Sequence, residues 1–174
     1  DLTRKSLAYT NHTLLPEALE KWPLHYFERL LPRQLEIIFE INRRFLADVR
    51  QRYPGDDARA ARVSLIEEGP EEKVRMANLA IVGSHSTNGV AAIHSARLRS
   101  TTVSDLAEIF PERFNNKTNG VTPRRWLLMA NPGLSHVIAD AIGEGWTTDS
   151  REIAKLKPFA DDPAFRHAFR RAKR

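Results

Sequence analysis

Leu79-Ala80-Ile81-Val82-Gly83-Ser84-His85-Ser86-Thr87-Asn88-Gly89-Val90-Ala91-Ala92-Ile93-His94 is the stretch on which the fold class turns. Its apolar opening, Leu79 to Val82, closes an extended segment that the residue pattern predicts over Lys73 to Gly83. Small and polar residues from Gly83 to Gly89 then predict a turn. Val90, Ala91, Ile93, His94 and Leu98 come next at helical spacing. An apolar strand, a small-residue turn and a helix make a βα unit, and ligands gather at the carboxyl ends of such strands. So short an apolar run is also compatible with a buried helix, because periodicity alone does not separate the two.

Upstream, Val63 to Glu67 reads as a second extended segment joined through Glu68-Gly69-Pro70. Before it, Leu35, Ile38, Ile41, Phe45 and Val49 recur three or four residues apart after Pro32. They predict an amphipathic helix that Pro54-Gly55 ends. Arg43, Arg44, Asp48 and Arg50 fall on or near its other face. Pro16 followed by Glu17-Ala18-Leu19-Glu20-Lys21-Trp22 predicts a helix stopped by Pro23, its early carboxylates matching the positive end of the dipole. Downstream, Asn115 to Thr122 is polar and contains Asn119-Gly120, a pair suited to positive φ. Pro123 opens a helix through Leu128, Asn131-Pro132-Gly133 interrupts it, and a helix runs from Leu134 to about Ile142 with Gly143 and Gly145 as terminators. A last helix is predicted over Pro163 to Lys173. The expected class is mainly α with a few short β-strands.

Composition narrows the function classes. The chain has 174 residues, 41% of them hydrophobic and 28% charged, as in ordinary globular proteins. No run approaches the roughly 20 apolar residues of a membrane span, and Asp1-Leu2-Thr3-Arg4-Lys5 lacks both a signal-peptide pattern and an initiator Met. With no cysteine, disulfides and thiolate metal sites are excluded. A cytoplasmic location and an excised piece are the expectations. The net charge of +5 owes much to Arg166, Arg170, Arg171, Lys173 and Arg174, which read as a solvated helix face. No RNA-recognition aromatic signature or zinc finger accompanies them, so no nucleic-acid partner is expected.

No His-Glu-x-x-His, phosphate loop, nucleophile elbow or dinucleotide fingerprint occurs, and no metal is expected. His94 and His136, beside apolar residues, read as structural. Three polar islands remain: Tyr9 to Thr13, Gly83 to Gly89 and Lys117 to Arg125. Their amides, hydroxyls and imidazoles donate and accept without net charge, which suits a neutral polyol. Each island taken alone is equally a turn or a helix cap.

Taken together, they resemble signature stretches of the α-1,4-glucan (glycogen, starch or maltodextrin) phosphorylases. The resemblance rests on Ala8-Tyr9-Thr10-Asn11-His12-Thr13, Leu15 to Pro23, Leu30-Leu31-Pro32-Arg33 and Ser64 to Gly69. It continues through Gly83-Ser84-His85, Asn88-Gly89-Val90-Ala91, Ile93-His94-Ser95, Asn116 to Leu127 and Asn131-Pro132-Gly133-Leu134, and is looser beyond about Trp146.

It implies an internal fragment of an α/β, two-domain, GT-B-like glycosyltransferase. Residues 1–122 would be the C-terminal part of the first, sugar-binding domain and 123–174 the entry helices of the second. His12 would hydrogen-bond the glucose at the reaction centre, Asn119 its 6-hydroxyl, and Val90 would lie under the ring. Thr13, Glu17, Ala18 and Glu20 would line the adjoining pocket, and Trp126 would pack near pyridoxal 5'-phosphate. The implied parent is a homodimer that phosphorolyses α-1,4-glucan to glucose 1-phosphate, the cofactor acting through its phosphate. The family's Met-Lys motif, glycine loop and phosphate-binding basic cluster are absent from this sequence, so no catalytic residue is assigned and inactivity of the isolated chain is expected. A non-catalytic carbohydrate-binding or regulatory module is the alternative.

Overall fold

The computed structural model describes residues 1–173 and divides into two units, Asp1–Asn119 and Gly120–Arg174. The first opens with helix α1 (Leu2–Ser6) and strand β1 (Ala8–Thr10), then a 3-10 turn at Pro16–Ala18. Strand β2 (Lys21–Pro23) precedes helices α2 (Leu24–Leu30), α3 (Pro32–Arg52) and α4 (Asp57–Val63). Next come β3 (Ile66–Glu67), β4 (Lys73–Arg75), α5 (Met76–Val82) and β5 (Ser86–Gly89). Helix α6 (Ala92–Arg97) runs into a π turn at Leu98–Thr102, then α7 (Ser104–Ile109) and β6 (Phe114–Asn116). The chain is mainly helical with short strands, as its patterning predicts.

Helix α3 is the spine of this unit. It buries Leu35, Ile38, Phe45 and Val49 on one face while Arg43, Arg44, Asp48 and Arg50 stay exposed. That face serves two cores. Phe45 and Val49 pack with Val63, Ile81, Leu98 and Leu106, whereas Leu35 and Ile38 join Leu24, Phe27, Leu65 and Val74. Each such side chain contributes about 1.5–3 kcal/mol when fully buried. Gly55, at φ 82°, turns the chain after the helix, in the left-handed region that glycine tolerates.

Two three-stranded sheets flank these cores. In one, β2, β4 and β3 are antiparallel, with Trp22 and Ile66 both opposite Val74. In the other, β5 lies between β1 and β6, and all three run parallel.

Sheet pairing and helix packing between them override four local expectations. The helix expected over Pro16 to Trp22 is only a single turn. Lys21–Pro23 pairs with Lys73–Arg75, and Met76 N donates to Glu20 O at 3.1 Å, so the backbone is committed to the sheet. The strand expected over Lys73 to Gly83 ends at Arg75. Met76–Val82 is a helix that buries Ala77 and Ile81, four apart on one face. Val63 ends α4, leaving only Ile66 and Glu67 extended. The turn expected over Gly83 to Gly89 contains the central strand of the parallel sheet, so the βα unit exists but is β5–α6. Asn119 and Gly120 also lack the positive φ expected of them; only Gly55 and Gly143 adopt it among the described residues.

The second unit contains α8 (Pro123–Ala130), α9 (Pro132–Ile142), a 3-10 stretch at Ser150–Asp161 and α10 (Pro163–Ala172). Trp146, only 1% exposed, forms its core with Leu134 and Ile138, and Leu127, Ile153, Leu156 and Ala172 pack around them. Asn131 caps α9 by accepting from Leu134 N at 2.9 Å, and its amide donates to Ala172 O at 2.8 Å. This joins the start of α9 to the end of α10. Gly143, at φ 79°, terminates α9.

Candidate functional site

Because β1, β5 and β6 are parallel, their carboxyl ends share one edge of the sheet. Asn11, His12 and Thr13 leave β1 there, Val90 leaves β5, and Lys117, Thr118 and Asn119 leave β6. Backbone pairing continues past the strand ends: Asn11 N donates to Asn88 O at 2.8 Å, Lys117 N to Gly89 O at 3.1 Å and Asn119 N to Val90 O at 3.0 Å. These bonds bring His12, Val90 and Asn119, distant in sequence, to one rim. His12 and Asn119 are exposed and Val90 is half-buried. Exposed neutral donors and acceptors beside an apolar side chain can hydrogen-bond hydroxyl groups while covering a ring face.

The other candidates are distributed more widely. Thr13 joins the rim, half-buried, with its hydroxyl accepting from Leu15 N at 3.1 Å. Glu17 and Ala18 are exposed on the next 3-10 turn. Glu20 is tied to the antiparallel sheet through its carbonyl, and its carboxylate accepts from Trp22 Nε1 at 3.1 Å. Trp126 belongs to the second unit, on α8, and is 57% exposed.

Beneath the rim lies a polar layer that sequence reasoning did not single out. Asn11 is 2% exposed. Its Oδ1 accepts from Thr13 N at 3.0 Å and lies 3.0 Å from His94 Nε2, while its Nδ2 donates to the Tyr9 hydroxyl at 3.2 Å. Thr10 Oγ1 donates to Asn88 Oδ1 at 2.9 Å, and Ser95 Oγ donates to Asn116 Oδ1 at 2.8 Å. His94, read as structural, is in this layer. The polar islands flagged the region, but burial separates Asn11 from its neighbour His12, and burial is not written locally. Gly89 allows α6 to approach β5: a Cβ there would lie 2.5 Å from both His94 Cδ2 and Ser95 Oγ.

Two clefts lie elsewhere in the first unit. One of about 710 Å³ is lined by residues including Ile41, Phe45, Arg52, Val82, Phe110 and Arg113, and one of about 310 Å³ runs along α3. Neither is lined by His12, Val90 or Asn119. The Arg113 guanidinium stacks 3.6 Å from the Phe110 ring centroid and donates to the carbonyls of Ile81, Val82 and Ser84, and burial lowers its pKa. It thus closes the end of α5.

Among the described residues no lysine is buried. Lys21 pairs with Glu67, Lys73 with Glu71 and Lys155 with Glu152, and Lys117 donates to Asn115 Oδ1 at 2.6 Å. These residues do not build a desolvated amine of the kind that carries a Schiff base. No group of three or more His, Asp or Glu is placed to hold a metal, and no helix is long and apolar enough to cross a membrane, among the described residues.

A polar rim on a short parallel sheet framed by helices characterises this unit, and comparison with known proteins supplies the class to which the chain belongs. The carbohydrate phosphorylase family model matches residues 1–174, and the chain belongs to that family. It is similar to the glycogen phosphorylase of Synechocystis sp., 54% identical over 173 residues covering 99% of this chain. The muscle form of glycogen phosphorylase from Mus musculus is 55% identical over 165 residues, and the brain form from Rattus norvegicus 53% identical over 165 residues, each covering 95% of this chain. The match takes in 20% of each relative, so the chain spans about a fifth of their length.

Proposed function

We propose that the rim at the ends of β1, β5 and β6 is part of the glucose pocket of an α-1,4-glucan phosphorylase, which uses phosphate to release glucose 1-phosphate. The observation that carries this reading is the meeting of His12, Val90 and Asn119 at three parallel strand ends. His12 and Asn119 hydrogen-bond the hydroxyls of one glucose residue, and Val90 packs under its ring. Thr13, Glu17, Ala18 and Glu20 line the adjoining space. Residues 1–122 complete the sugar-binding first domain of a GT-B-like parent, and 123–174 begin its second. The parent acts as a cytoplasmic homodimer.

Pyridoxal 5'-phosphate, when bound in the whole protein, supplies acid–base chemistry through its phosphate. The described residues do not fit as its holder, for want of a buried lysine. Trp126, with an indole free to pack against another surface, is the one side chain assigned near it. The chain by itself therefore binds and orients sugar without turning it over.

The test is made in the whole parent phosphorylase. His12→Ala and Asn119→Ala should each lower kcat/KM for glucan phosphorolysis by about tenfold, the consequence of one lost hydrogen bond worth roughly 1.5 kcal/mol. Wild-type kcat/KM in both variants would refute the site. Release of glucose 1-phosphate from glycogen by the isolated chain would refute its inactivity.

A further inference from the structure

We infer that Asn11, His94 and Thr102 form a clamp that fixes the loop bearing His12, which makes them positioning residues for the sugar rim. The inference rests on the reading of His12 as a sugar contact. The loop is tied on both sides of His12. Before it, Asn11 N donates to Asn88 O at 2.8 Å, anchoring the backbone to the central strand. Across it, Asn11 Oδ1 accepts from Thr13 N at 3.0 Å. Beyond it, Thr102 Oγ1 donates to Leu14 O at 3.3 Å.

The chemistry of the clamp is determined by the backbone. A peptide N–H can only donate, so the Asn11 atom that meets Thr13 N is the amide oxygen. His94 Nε2 faces the same oxygen at 3.0 Å, so that nitrogen carries a proton and donates. The remaining Asn11 amide donates to the Tyr9 hydroxyl at 3.2 Å. A buried amide left unpaired is strongly disfavoured, which makes this arrangement a single one rather than one of several.

His94 and Thr102 both come from the segment after β5. Helix α6 carries His94, and the π turn at Leu98–Thr102, closed by Val103 N donating to Leu98 O at 3.1 Å, carries Thr102. Wide turns of this kind insert a residue into a helix and re-aim the residues beyond it, often at functional sites. One segment thus reaches the loop at two points, Asn11 and Leu14, and the exposed His12 lies between them along the chain. A binding group held to within about 0.5 Å by such partners needs no reordering when sugar arrives.

The test compares near-isosteric pairs in the whole parent phosphorylase. His94→Leu and Thr102→Val remove the donor and keep the bulk, whereas His94→Gln and Thr102→Ser keep a donor. The expected result is a fall of about tenfold or more in kcat/KM for His94→Leu and Thr102→Val at unchanged phosphate KM, with recovery in His94→Gln and Thr102→Ser. In a His12→Ala background, His94→Leu should produce no further loss, because it acts through His12. A merely structural role would instead add its loss to that of His12→Ala. Wild-type kinetics in His94→Leu and Thr102→Val, alongside an impaired His12→Ala, would overturn the clamp while leaving the sugar site standing. An unimpaired His12→Ala would overturn the sugar site and the clamp with it. Should His94→Leu fail to fold, the Thr102→Val and Thr102→Ser pair decides the matter alone.

Discussion

Replacing Gly89 with alanine tests the contact on which the rim is built. The added Cβ would lie 2.5 Å from His94 Cδ2, 2.5 Å from Ser95 Oγ and 2.9 Å from Ser95 Cα, where ordinary contact begins at 3.4 Å. The two side chains are not free to swing away. His94 faces Asn11 at 3.0 Å and Ser95 donates to Asn116 at 2.8 Å. Ser95 Cα is backbone, so α6 itself must retreat from β5, by about 0.5 Å to relieve Ser95 Cα and by about 0.9 Å to relieve the two side-chain atoms. Overpacking of this kind costs about 1–3 kcal/mol, and weakening two hydrogen bonds adds about 1 kcal/mol. A loss of about 2–4 kcal/mol corresponds to a fall in Tm of roughly 8–16 °C for a unit of this size. The assay is thermal and urea unfolding monitored by circular dichroism, with Gly69→Ala as control. A Cβ at Gly69 meets nothing within 4 Å, and its φ is not in the left-handed region, so the control should stay within about 1 kcal/mol of the parent. Equal midpoints for Gly89→Ala and Gly69→Ala would refute the close packing of β5 on α6.

The first unit's polar contacts have consequences of their own. Asn42 Oδ1 accepts from Leu65 N at 2.8 Å, and Leu65 is fully buried, so Asn42→Ala should cost about 1–3 kcal/mol by stranding that N–H; an unchanged urea midpoint would contradict this. Hydrogen bonds from Arg43 and then Arg44 hold the Glu40 carboxyl at about 2, against an ordinary 4.5. Because the folded value is the lower one, the contribution of this group is complete above about pH 4.5 and fades as pH falls toward 2. Carboxyl-carbon NMR should show that depressed midpoint, and Arg43→Ala should raise it; an ordinary midpoint in the unaltered chain would show that the pair does not persist in solution.

The elements legible in the sequence are those whose signals are local. Pro32, the spacing of Leu35, Ile38, Phe45 and Val49, and Pro54-Gly55 specify α3, which spans Pro32–Arg52. Gly143 ends α9 as the terminator its sequence offers, whereas Asn131, legible only as part of an interruption, proves to be the cap of that helix. The short strands resist such reading. β1, β5 and β6 have three or four residues each, too few to display a period of two, and β5 is composed of Ser86, Thr87, Asn88 and Gly89, which in isolation favour a turn. Likewise, nothing near Lys21 announces its pairing with Arg75. Residue type flagged the polar islands that hold His12 and Asn119, and resemblance alone singled out those two within them; the contacts of Asn11 were hidden because they depend on its being buried beside His94.

By itself, the order of residues determined the long helices, the proline and glycine stops that bound them and the family resemblance, because each depends on near neighbours or on motifs preserved as strings. Tertiary structure alone decided which polar segment became a central strand, which asparagine went inside and which strand ends met. Backbone donors and acceptors are alike in every residue, so a strand of three is specified by the partners on either side of it. Those partners lie far along the chain.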